Sequence, residues 1–139
     1  MERDNQVRYG WLKFLYLYTL VGAGGSGLLM ILFPGPVASL FGMPAQDPYI
    51  YGVAASIWLA FGLLSILGLR APLKFLPVLL MQLCYKSIWL AAVVLPLMIR
   101  GERPFYAFLF VMVMASYVVL DLIAIPFRYL FNDQVQLPA

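Results

Sequence analysis

Histidine is absent from these 139 residues, and cysteine occurs once, as Cys84. Haem held by histidine, histidine-based zinc and a Ser–His–Asp triad are excluded at once. So are an intrachain disulfide, a CxxC redox pair and a cysteine cluster. Charge is scarce: nine Lys and Arg with six Asp and Glu make 11% of the chain, against ~25% in soluble domains. No phosphate-binding glycine loop of the P-loop type occurs. The sequence therefore predicts no cofactor and no metal.

Apolar residues are what the chain has in excess. They make up 64% of it, with a mean hydropathy of +0.92, where soluble domains run near ~45–50%. Too few polar side chains remain to cover a water-facing surface, so the expected solvent is lipid. The length suits a single membrane domain over residues 1–139: an all-α, polytopic bundle of four transmembrane helices with short connections. The net charge of +3 does not point to nucleic acid. The basic residues flank apolar runs instead of forming a patch, so they read as topology signals and contacts with membrane lipids. The polar start, Met1 to Gly10, lacks a small-residue cleavage site before the first run ends, which predicts a retained first helix.

The spans are expected at about residues 11–33, 49–69, 73–99 and 105–131. Tyr9, Trp11, Tyr16 and Tyr18 open the first as a headgroup-level aromatic set. Its centre holds Gly22 to Gly27, where Gly22/Ser26 and Ala23/Gly27 are spaced for close helix approach or for a local unwinding that lines a site. Gly52, Ala55 and Ser56 offer a matching small face on the second span. Pro34-Gly35-Pro36 ends the first helix, and the apolar segment that follows predicts a short interfacial helix. Pro77 and Pro96 are expected to kink the third span or mark its ends. The tail from Asn132 is expected to be poorly ordered. Arg3, Arg8, Lys13, Arg70, Lys74 and Arg128 fall on the side of the termini, and only Arg100 and Arg103 on the other. The bias predicts cytoplasmic termini.

Lys86 and Asp121 each interrupt a run meant for lipid. A charge near the bilayer centre costs at least ~2.5–3.5 kcal/mol, so it needs a partner or a wet cavity. Lys86 lies about 20 Å of helix from Ile99, and Asp121 about 26 Å from Pro104. In an antiparallel hairpin the depths differ by about 6 Å, within reach of a lysine stem, which predicts an intramembrane salt bridge. Gln82, Tyr85, Lys86 and Trp89 recur on one stripe of the third helix; Tyr117, Asp121 and Arg128 share a face of the fourth. Arg128 is expected to contest Asp121 from the other side. With Trp58, these residues form a candidate polar centre.

Three roles stand for that centre: a structural pair, a pocket for a small amphipathic or lipid-like ligand, and a proton or ion path. The favoured reading is a non-enzymatic membrane protein that binds such a ligand or docks a partner subunit there. The alternative is a membrane enzyme or proton-coupled transporter using Lys86 and Asp121. A small-multidrug exporter is disfavoured, because its first helix would need a carboxylate. Ser87 diverges from Lys86 by about 100° on the helix, which argues against a Ser–Lys dyad. The small faces also permit a homo-oligomer.

The run from Leu32-Phe33-Pro34-Gly35-Pro36 to Leu40-Phe41-Gly42-Met43-Pro44 resembles the first connection of small DoxX-like membrane proteins. There a Phe-Pro element after the first helix precedes a Phe-Gly-x-Pro segment. The glycine-bearing second helix, the lysine of the third and the ending Asp121-Leu122-Ile123-Ala124-Ile125-Pro126-Phe127 are similar too. The resemblance covers roughly Leu15 to Leu130 and implies a four-helix bundle in the inner membrane. Members are implicated in quinone-linked oxidation, stress-related complexes and assembly of other membrane proteins. It implies no single activity and no catalytic residue.

Overall fold

The computed structural model of the protein describes residues 7–132. The N-terminal stretch through Gln6, including Arg3, and the tail from Asp133 lie outside the described residues. Four helices are long and apolar enough to cross a membrane: α1 (Tyr9–Leu32), α3 (Pro48–Arg70), α4 (Leu76–Ile99) and α5 (Phe105–Ala124). Two short helices complete the set, α2 (Pro34–Leu40) and α6 (Phe127–Asn132). The chain is an all-α four-helix bundle and, by its apolar spans, an integral membrane protein.

Local chemistry sets the boundaries. Asp47 caps α3, its carboxylate accepting from the Ile50 amide at 2.9 Å with Pro48 at the first helical position, where the missing N–H has no bond to lose. Gly42 (φ 64°) and Gly101 (φ 86°) follow α2 and α4 in the left-handed region. At α4 the Glu102 and Gly101 amides return to the Leu97 and Met98 carbonyls, closing the helix as a Schellman motif. The fourth span is shorter than expected. Pro126 drives Ile125 to an extended conformation (ψ 122°), so α5 stops at Ala124 and α6 starts separately at Phe127. Pro96, in contrast, stays inside α4. A π-helical turn over Trp89–Val94 precedes it, and the widened turn relieves the clash a proline makes with the carbonyl four residues back. A second π turn, Leu20–Gly24, falls in the glycine run of α1. That run is a widened helix, not an unwound segment.

In the bundle α1 packs on α3 and α5, and α4 lies between α3 and α5. The α1–α3 seam is the tightest. Gly24 faces Gly62 backbone to backbone, and a methyl on Gly27 would collide with the Ala55 carbonyl and the Leu59 amide. The α3 side of this seam is Ala55, Gly62, Ser65 and Gly68, all buried. A methyl on Gly52 would meet nothing and Ser56 is exposed, so the small face expected on α3 is shifted towards its far end. Tyr16 is also displaced from the expected headgroup set. It is fully buried over Gly68 and donates to the Pro72 carbonyl at 2.8 Å. Tyr9 and Trp11 do face outward.

Burial is uneven along the bundle axis. Leu12, Leu15, Tyr16, Leu76, Leu79, Ala124 and Ile125 form a closed core at the end where α1 begins. Beyond Lys86 on α4, and before Met114 on α5, no residue is buried. One end of the bundle is a plug; towards the other, α4 and α5 leave space.

Candidate functional site

A polar layer lies between the plug and that space. Thr19, Gln82, Lys86 and Asp121 come from α1, α4 and α5, and none is more than 1% exposed. The Gln82 amide bridges the helices: its oxygen accepts from the Thr19 hydroxyl at 3.2 Å, and its nitrogen donates to the two Asp121 oxygens at 3.2 and 3.4 Å. The carboxylate can only accept when ionised, so it fixes which end of the amide faces it.

The expected salt bridge is absent: among the described residues, the Lys86 amine makes neither an ion pair nor a hydrogen bond. Antiparallel register explains this. Gln82 stands across from Asp121, and one turn on, Lys86 stands across from Tyr117. The depth offset of about one turn, read from sequence as lysine reach, is realised as a stagger. The Lys86 Nζ lies 3.5 Å from the centre of the Tyr117 ring and 5.2 Å from that of Tyr85. The first distance suits a cation–π contact. Tyr117 is held in turn, its hydroxyl donating to the Tyr18 carbonyl at 3.1 Å just before the first π turn. Gly22 makes room for it, since a methyl there would strike that hydroxyl. Tyr18 also bonds Ser116 at 2.9 Å.

Lys86 and Tyr117 floor a cavity of about 230 Å³. Gly22, Ala23 and Ser26 of α1, Trp58 of α3, Tyr85 of α4 and Phe110 and Met114 of α5 form its sides. Val37, Leu40 and Phe41, on and just past α2, reach it from the connection. Phe41, Phe110 and Trp58 make a chain of rings with centroids 5.9 Å apart at each step. The Tyr85 hydroxyl is buried there and unbonded. The Trp58 indole lies near that hydroxyl without hydrogen-bond geometry. An indole N–H only donates, so in either arrangement the Tyr85 O–H is free to give its proton to an acceptor.

Of the residues expected at the centre, Gln82, Tyr85, Lys86, Tyr117, Asp121 and Trp58 converge on this layer and cavity. Two do not. Trp89 lines a separate cavity of about 510 Å³ between the far ends of α4 and α5, beside Glu102 and Arg103. Arg128 is exposed on α6; the break at Pro126 cuts the helical phase that would have aligned it with Asp121. Thr19 and Phe110 were not anticipated. Thr19 did leave a signal, as a hydroxyl in an apolar run one turn before Ala23. No protein-family profile, curated protein or solved structure matches the chain.

Proposed function

We propose that this membrane protein holds a small amphipathic ligand in the cavity above the polar layer, with the ligand's head at Lys86. One observation carries the reading. Lys86 is 1% exposed, its amine has no hydrogen-bond partner among the described residues, and it lines a mostly apolar cavity. A buried donor without a partner costs about 1–3 kcal/mol, more when charged, and a ligand acceptor would recover that. The DoxX-like motifs agree with a small inner-membrane bundle. The positive-inside bias orients the termini and the plug towards the cytoplasm, and the cavity beyond the plug. The plug weighs against a proton path, since Leu12, Leu15, Leu76 and Leu79 seal the layer from that end with no exposure.

The test titrates detergent-solubilised protein with ten-carbon amphiphiles of varied head and reads retention by native mass spectrometry. Saturable one-to-one retention that Lys86→Met abolishes, with helical content and melting preserved by circular dichroism, supports the reading. Retention indifferent to that substitution refutes it.

A further inference from the structure

Resting on that reading, we infer the ligand's chemical class: an uncharged, apolar molecule whose head is a hydrogen-bond acceptor such as a carbonyl or ester oxygen. Three observations bear on it. First, unbonded donors stand at one end of the cavity, where Lys86 meets Tyr85. Both buried side-chain groups left unbonded there, the Lys86 amine and the Tyr85 hydroxyl, can donate. The amine lies 5.2 Å from the Tyr85 ring centre, so the two serve one end of the cavity. The nearby acceptor, Asp121, is already engaged by Gln82. A carbonyl oxygen, with two lone pairs, answers two donors; an alkane answers none.

Second, the layer needs no further charge. Lys86 and Asp121 sum to zero whether the proton sits on the amine or on the carboxyl; of the two only Lys86 lines the cavity, and tyrosine is the one other titratable residue type in its lining. A sulfonate, phosphate or carboxylate head would leave one negative charge uncompensated at depth, and a quaternary amine one positive charge. Each is disfavoured by on the order of 100-fold relative to a neutral head.

Third, the space is small. About 230 Å³ falls below the ~300–1,000 Å³ that encloses drug-sized ligands. The fit is a compact head with a short apolar body against Trp58 and Phe110.

The experiment compares methyl decanoate, decanesulfonate, decyltrimethylammonium and decane on the protein in dodecyl maltoside. Methyl decanoate should bind saturably, with the two ionic probes and decane each at least about 10-fold weaker. Tyr85→Phe removes only a hydroxyl that has no hydrogen-bond partner among the described residues, so the fold is kept. It should weaken the ester about 3–10-fold and leave decane unchanged. Decanesulfonate binding more tightly than the ester, in a Lys86-dependent way, overturns the inference and leaves the cavity reading standing. Ester binding unaffected by Tyr85→Phe overturns the two-donor head. If no probe binds in a Lys86-dependent way, both proposals fall.

Discussion

Gln82 is the residue on which the polar layer turns. Its side-chain amide hydrogen-bonds both Thr19 and Asp121, and its removal leaves a buried carboxylate and a buried hydroxyl unanswered. Gln82→Met, close in volume, should destabilise the bundle by about 2–3 kcal/mol, read as a lowered midpoint of reversible detergent denaturation. Lys86→Met should cost less than Gln82→Met, because the amine gives up a cation–π contact with Tyr117 but no hydrogen bond, and Asp121 keeps its Gln82 donor. The reverse order would restore a direct Lys86–Asp121 pair as the structural tie. Much of this was legible in the sequence: two charges and a glutamine in lipid-length runs must be satisfied somewhere. Which partner each takes was not, because a stagger of one turn changes the partner and leaves the composition unaltered. Gly22 shows the same limit. Its spacing marked it for helix packing, whereas its neighbour is the Tyr117 hydroxyl.

Helix ends and faces follow from backbone chemistry to differing degrees. The stop governed by the Pro34–Pro36 segment was readable, since proline acts on its own neighbours. Pro96 and Pro126 look alike in sequence, yet one lies within α4 and the other ends α5. The difference lies in the π turn before Pro96, which no local residue type announces. The small-residue face of α3 was likewise placed too early, because Gly52 and Ser56 are as small as Gly62 and Ser65. Only the partner helix chooses between them. This choice is testable. Gly62→Val should separate α1 from α3 and cost about 1–3 kcal/mol or more, since the facing atoms are backbone and cannot step aside. Gly52→Val should stay within about 0.5 kcal/mol, as nothing lies near it. Equal losses in the same denaturation assay would place the seam elsewhere.

Across the whole molecule, the plug supplies rigidity and the splayed end supplies space, which separates stability from binding. In lipid the usual transfer gain for a buried leucine is absent, since an unfolded segment still sits among acyl chains. What Leu79→Ala loses is contact density in the closed core, so its cost should fall below the 2–5 kcal/mol of a water-soluble core, near ~1–2 kcal/mol. Leu79 does not line the cavity, so methyl decanoate should bind this variant as it binds the parent. Phe110→Ala acts in the opposite sense. Phe110 is half-buried and closes the cavity wall between Phe41 and Trp58. Its loss should therefore weaken the ester about 10-fold or more, since an aromatic contact and the wall area go together, with a denaturation midpoint near the parent's. Paired melting and binding titrations on the two variants should fall on opposite axes. If Leu79→Ala and Phe110→Ala instead lower stability and affinity in proportion, plug and cavity are one cooperative unit, and the polar layer is not a boundary between them.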